Sequence, residues 1–450
     1  MSDQTTVMPR LPTRSMGLKL LLVCALALLM AIPALFVFAL LMDRTHRADA
    51  VTREISQVVG GQQSFLGPVI AVPYTAPPPA AGQKPQKGVY VVFPARAEAS
   101  ASAASEVRKR SLFRVPVYRA DLDFKADFDL TGVPAHAPDQ AVLDWTRAEV
   151  LVGVSDPRGA QSDISLNVAG KVIQATPSSV VADQADGDES MRFFGATTAG
   201  AAAPGAVFKV EAQMKFSGAK RLAIVPYGKT TTVKVRSDWP DPSFDGGFLP
   251  GMKQIGDKGF SADWTVPFVG RGVPAEGTED VLTRLTATAP GVSFVDPANP
   301  YQSVSRSLKY ALLFVGLVFL AYFMFETMTK KRVHPAQYVL IGLAQIIFYL
   351  LLLSIAEQVG FDWAFLVAAG ATVSLISAYA GWVFESRKQG MIALVSFTVL
   401  YGLIYILMRL EDFALLVGAV ASFGAIATVM YFTRKIDWYG AADPAAKGPA

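Results

Sequence analysis

Residues 310–325 read YALLFVGLVFLAYFMF, without a single charge. Four more uncharged apolar blocks follow: 338–355 (YVLIGLAQIIFYLLLLSI), 363–384 (WAFLVAAGATVSLISAYAGWVF), 391–408 (MIALVSFTVLYGLIYILM) and 413–432 (FALLVGAVASFGAIATVMYF). A sixth block, 20–42 (LLLVCALALLMAIPALFVFALLM), stands alone near the N-terminus. An apolar run of about 18 or more residues is long enough to cross a bilayer core as a helix. A helix also satisfies its own backbone where no water is available. The expected fold class is therefore a multi-pass α-helical membrane protein with six spans, one plus five. The parts are a tail at 1–19, a first span at 20–42, an extramembrane segment at 43–307, a five-helix bundle at 308–432 and a tail at 433–450.

Charges at the ends of the blocks orient the chain. Arg10, Arg14 and Lys19 precede the first block, and Lys330, Lys331 and Arg332 follow the second. Arg387 and Lys388 follow the fourth, and Arg434 and Lys435 follow the sixth. The alternate connections, 356–362 and 409–412, carry Arg409 as their single basic residue. Basic residues concentrate on the cytoplasmic side of short loops. All four clusters agree on one topology, with both termini cytoplasmic and segment 43–307 outside, in the periplasm of a Gram-negative host. A secretory signal has an apolar core of about 7–15 residues, and the first block is longer, so it is expected to be an uncleaved anchor.

Composition adds exclusions. The chain is 52% hydrophobic and 17% charged, which reflects the two solvents it meets. Its net charge of +4 comes mainly from the cytoplasmic flanks, so the external segment offers no strong field for nucleic acid. The single cysteine, Cys24, lies in the first apolar block, so the external domain must be held by its own core rather than by disulfides.

The external segment reads as β-structure. Val51, Ile55, Val58 and Val59 keep helical spacing after the first span, and Gly60-Gly61 ends that helix. Leu122, Phe124, Ala126, Phe128 and Leu130 then alternate with Asp121, Asp123, Lys125, Asp127 and Asp129, the signature of a strand with one buried and one wet face. Residues 208–216 repeat the pattern, and 67–74, 89–93, 149–154, 163–168, 222–225, 230–236 and 260–268 also read as strands. Segment 95–105 is rich in Ala and Ser and fits either a helical turn or a loop, and 183–190 is expected to be a mobile loop. Frequent short strands between Gly, Pro and Asp turns predict antiparallel sheets packed as a large β-sandwich-like periplasmic domain.

No conventional catalytic centre is evident. His46, His136 and His334 are isolated, and no Cys/His/carboxylate cluster has metal-ligand spacing. No phosphate-binding glycine loop or nucleophile elbow occurs, so no catalytic residue, metal or cofactor is expected. The densest unusual segment is 238–250, DWPDPSFDGGFLP. Its aromatics, Trp239, Phe244 and Phe248, are the candidate partner contact; the competing reading makes them plugs of the domain core. Inside the bundle, Gln345 sits near the middle of the third span and is the candidate polar contact, alongside Ser354, Ser374 and Ser377. Glu326, Glu357 and Glu385 fall at span ends, within reach of water or headgroups. Ala414, Gly418 and Ser422, four apart, mark a close-packing face on the last span.

Several motifs together resemble the CreD family of bacterial inner-membrane proteins. They are 67–74, Ser155-Asp156…Arg158-Gly159, 237–250, 259–264 (GFSADW), Asp296…Tyr301-Gln302…Ser305-Arg306-Ser307…Lys309-Tyr310, and 332–338 (RVHPAQY) with Phe348-Tyr349-Leu350-Leu351-Leu352. The resemblance runs from about Leu18 to Tyr439. It implies a link to envelope stress and to the regulon of a two-component system, and carries over no reaction and no catalytic residues. The expected function is a non-enzymatic inner-membrane protein that supports cell-envelope integrity through its periplasmic domain. The alternative is a transporter or lipid-handling protein with a route through the bundle at Gln345. Expected partners are the lipid bilayer and a periplasmic or envelope protein or lipid.

Overall fold

The computed structural model describes residues 16–78, 84–110, 113–181, 191–286, 288–295, 300–329, 331, 333–409 and 414–434; the loop expected at 183–190 lies outside them. The chain divides into two compact units, 48–297 and 1–47 with 298–450.

Unit 48–297 holds two sheets. The larger, ten-stranded sheet runs Pro242–Asp245, Gly291–Phe294, Arg221–Val225, Gln63–Ala76, Glu149–Val154, Arg192–Thr197 and Thr176–Pro177. The far half of Gln63–Ala76 also carries Gln86–Val92, which pairs with Glu276–Thr278. The eight-stranded sheet runs Met252–Gly256, Gly259–Val266, Thr230–Ser237, Arg96–Arg110, Phe113–Asp129, Val207–Ala219, Ser165–Val168 and Lys171–Gln174. Both sheets supply one buried cluster, with Phe65, Ile70, Tyr90, Val152 and Phe193 from the first and Phe124, Phe128, Leu166, Val210 and Trp264 from the second.

Both sheets are mixed, which corrects the expected antiparallel sandwich. Gln63–Ala76 pairs parallel with Arg221–Val225, and Thr230–Ser237 pairs parallel with Arg96–Arg110. Alternation along one strand reports which face is wet; it carries no information about the direction of the neighbour. The segment left open between turn and loop is a strand: Ala97, Ala99, Ala101 and Ala103 are buried while Glu98, Ser100 and Ser102 are exposed. Alanine favours helices, but its period here is two, and the sheet wins.

Tyr227 ties the two sheets together. Its ring lies where a Cβ on Gly67 would stand at 2.5 Å, so only glycine fits there. Its hydroxyl donates to the carbonyls of Glu98 (2.6 Å) and Lys125 (2.9 Å) on the other sheet.

The membrane unit opens with α1 (Met16–Leu29) and continues in α2 (Ala31–Val59), which passes into the β-unit. The single apolar block 20–42 is thus two helical pieces meeting at Met30. Pro33, in the first turn of α2, lacks the N–H that a continuous helix would donate to Leu29. Met30 packs where Gly342 leaves room; a Cβ there would meet its sulfur at 2.6 Å. Within the β-unit, short helices α3 (Phe268–Arg271) and α4 (Asp280–Thr286) follow. Then come α5 (Pro300–Lys309), α6 (Ala311–Thr329), α7 (Pro335–Val359), α8 (Phe361–Val383), α9 (Arg387–Arg409) and α10 (Ala414–Thr433). Among the described residues, five helices are long and apolar enough to cross a membrane: Met16–Val59, α6, α7, α8 and α9. Of the close-packing face on α10, Gly418 is described, with Leu407 at 3.8 Å from the position of its absent Cβ.

Candidate functional site

The end of α2 is locked into the β-unit by one buried amide. Gln63, fully buried, donates through Nε2 to the carbonyls of Gly60 and Asp156, both at 2.8 Å. Its Oε1 accepts from the Ser155 hydroxyl (3.1 Å) and the Asp156 N–H (3.3 Å). Ser217 adds a bond from its hydroxyl to the Val59 carbonyl at 2.8 Å. Val59 itself packs on Val115, Val117 and Ala219. A buried side-chain amide must satisfy both its donor and acceptor ends, and Gln63 does so by joining a helix end, a strand start and a turn.

The turn it grips is held by charge. Asp156 accepts from the Arg158 backbone N–H (3.0 Å) and from its guanidinium (Nη2 to Oδ2, 2.6 Å). Burial pushes the Asp156 carboxyl up, but the Arg158 hydrogen bonds and charge outweigh it and hold the group below the usual carboxylate range.

The aromatic loop points mainly inward. Trp239 is 8% exposed, and its indole N–H donates to the Asp241 and Val295 carbonyls, both at 3.1 Å. Phe244 is half-buried, edge-on to Phe260 and Trp264 with centroids 5.8 Å away. Phe248 is half-buried against the same core, and its carbonyl accepts from the Trp264 indole at 3.1 Å. The apolar side chain that this loop turns outward is Leu249, 73% exposed.

In the bundle, Gln345 is 3% exposed, and its Oε1 has no hydrogen-bond partner among the described residues. Its side chain lies against the Tyr401 hydroxyl. Tyr401 in turn meets Phe348 edge-to-face at 5.0 Å. Gln345 therefore joins α7 to α9 inside packed aromatics.

Glu326 departs from expectation. It is 4% exposed rather than open to water or headgroups. It pairs with Lys19 of α1 and accepts from the Val333 N–H (2.9 Å) and the Tyr338 hydroxyl (3.1 Å). Glu357 is similarly enclosed, accepting from Tyr301 of α5 (3.0 Å) with Arg44 of α2 at 3.7 Å. Glu385 is exposed and paired with Lys331 at 2.7 Å. The signal for the Lys19–Glu326 pair was present in the sequence, since the charge pattern already puts both residues on one side of the membrane.

The motifs behind the family resemblance serve as latches. In 332–338, His334 caps α7 by accepting from Ala336 N–H at 3.2 Å, and Gln337 returns the bond to His334 N–H at 2.8 Å. Tyr338 reaches Glu326, Ser155-Asp156 seats Gln63, and Trp264 holds the aromatic loop.

Apolar helices of membrane-crossing length joined to a large mixed-sheet unit define a multi-pass membrane protein with one extramembrane domain. The family model for the inner membrane protein CreD matches residues 15–439, and the chain belongs to that family. It is similar to the inner membrane protein CreD of Escherichia coli (strain K12), with 28% identity over 429 residues, 93% of each chain.

Proposed function

We propose that this protein supports the bacterial cell envelope without catalysing a reaction, by holding its β-domain in the periplasm between two membrane attachments. In this reading α10 is a sixth span and both termini are cytoplasmic, in line with the basic clusters at Arg387-Lys388 and Arg434-Lys435. The observation that carries the reading is the Gln63 lock. It fixes the last turn of α2 to the strand and turn that follow, so the β-domain begins directly from its helix rather than after a loose linker.

The partner is an envelope protein or lipid met through the 238–250 loop. Trp239, Phe244 and Phe248 stiffen that loop from below, and Leu249 supplies the outward contact. The test compares a deletion strain complemented with the wild-type chain or with Leu249→Asp, reading envelope permeability under stress. The reading expects the deletion to leak, the wild type to restore the barrier and Leu249→Asp to fold yet fail. A deletion strain as tight as its parent would overturn the function, and full rescue by Leu249→Asp would overturn the contact.

A further inference from the structure

Between α8 and α9 runs an open groove of about 560 Å³. Its walls are apolar, built from Phe365, Leu366, Ala369, Val373, Leu394 and Tyr401. Gly370 and Gly402 also line it, and among the described residues a Cβ added to either would meet no atom within 4 Å. Small residues on membrane helices usually let backbones close on one another; here they leave space. An unfilled gap of this kind forfeits dispersion contacts along its whole wall, and in a bilayer the material at hand to fill it is an acyl chain.

Length and polarity agree with that occupant. From Asp362 to Ser374, both at the groove, twelve residues of helix rise about 18 Å, close to the depth of one leaflet in a hydrocarbon core of roughly 30 Å. One end is polar. Asp362 there is ion-paired with Arg409, and Tyr405 donates its hydroxyl to Asp362 Oδ1 at 3.0 Å. Trp363, largely exposed, flanks the same end, as suits the level of the headgroups.

We propose that this groove is a binding site for a phospholipid with a zwitterionic headgroup. One acyl chain lies along Gly370 and Gly402, the phosphate meets Arg409 and the ammonium meets Asp362. A headgroup carrying both charges can bridge the two residues, which an anionic headgroup cannot do without facing the Asp362 carboxylate. The site requires no transport and does not rest on the envelope function.

The test uses the full chain in nanodiscs containing an ethanolamine phospholipid with a photoreactive acyl chain. The labelled peptides are mapped, and retained lipid is counted by native mass spectrometry after transfer to mild detergent. The expected result is one retained lipid per chain and labelling concentrated on 362–374 and 394–405. Gly370→Leu with Gly402→Leu should keep the wild-type unfolding temperature and lose both signals; if that pair fails to fold, Gly402→Leu alone is read in the same way. Asp362→Asn with Arg409→Gln should abolish the preference for an ethanolamine over a glycerol headgroup. The proposal is overturned by even labelling of all lipid-facing helices, or by lipid retention unchanged in the leucine variants. It is also overturned if the wild type is a dimer that the leucine variants dissociate without any change in lipid. A headgroup preference surviving the Asp362/Arg409 change would overturn the headgroup assignment.

Discussion

The β-unit and the helix bundle both bury polar side chains, but they use them for different tasks. In the β-unit the buried groups bond chiefly to main-chain carbonyls. Gln63 joins Gly60 to Asp156, Tyr227 joins Glu98 to Lys125, and Arg271 donates to Gly228 (2.9 Å), Val273 (3.1 Å) and Pro274. Arg271 has no carboxylate in that set; its guanidinium sits 4.3 Å over the Phe93 ring, and burial pushes its pKa down to about 10, which leaves it charged at neutral pH. In the bundle, Glu326 and Glu357 instead take side chains from other helices, Lys19 and Tyr338 in one case, Arg44 and Tyr301 in the other. The difference follows from the backbone. Turns such as those at Gly60, Asp156 and Gly228 leave carbonyls that need donors, whereas helices satisfy themselves, so a polar side chain there is available to fasten one helix to the next.

Variants can break this contrast in graded steps. The largest effect is expected from plain packing: Phe124→Ala should cost about 4 kcal/mol of β-unit stability, because the ring is fully buried against Tyr227. Thermal unfolding followed by near-ultraviolet circular dichroism reads it. Next is Glu326→Leu, which strands Lys19 and should cost about 3 kcal/mol in the bundle, where the pair ties α1 to α6. Adding Lys19→Met should recover much of that loss, since a buried pair replaced by apolar groups is often nearly neutral; no recovery would mean that Glu326 acts mainly through Val333 and Tyr338. Gln63→Leu should cost about 2 kcal/mol, from carbonyls left without their donor, and should raise amide exchange at residues 56–64 before anywhere else.

The smallest effect is a pH dependence. Asp156 has a folded pKa below its unfolded value. Its contribution is therefore present above the unfolded pKa and is lost as pH falls through the folded one. Acid titration of the wild type should show this loss in the carboxylate range, and Asp156→Asn should flatten that part of the curve.

Much of this was legible in the sequence, and the exceptions have physical reasons. Helices α6 to α9 were readable because hydropathy over a long window needs no partner. The alternation of Leu122 to Leu130 was readable for the same local reason, and those side chains are all buried. The parallel pairings were not, because Gln63 meets Leu222 across many intervening strands, and a pairing so distant in sequence leaves no local trace. The strand at Ala97–Ala103 carried a period of two that its alanine content masked. Helix α5 was not distinguished, because its apolar face, Tyr301, Val304 and Leu308, is too sparse to count as a span, and most of it, 300–307, fell within the segment expected outside. Of the candidate site residues, the burial of Gln345 followed from its setting. The inward turn of Trp239 agrees with the reading of the loop aromatics as core plugs; the acceptors of its N–H, the Asp241 and Val295 carbonyls, come from the tertiary fold and leave no local trace.

The central claim is that the β-domain stands on the periplasmic side while the Lys19–Glu326 end of the bundle faces the cytoplasm. Thiol labelling in a Cys24→Ser background tests it directly, with one cysteine at Val172, exposed on the β-unit, or at Met328, exposed near Glu326. A membrane-impermeant maleimide applied to intact spheroplasts should label Val172→Cys at once and Met328→Cys only after permeabilisation. Labelling of Met328→Cys in intact spheroplasts, with Val172→Cys protected until they are opened, would contradict the account.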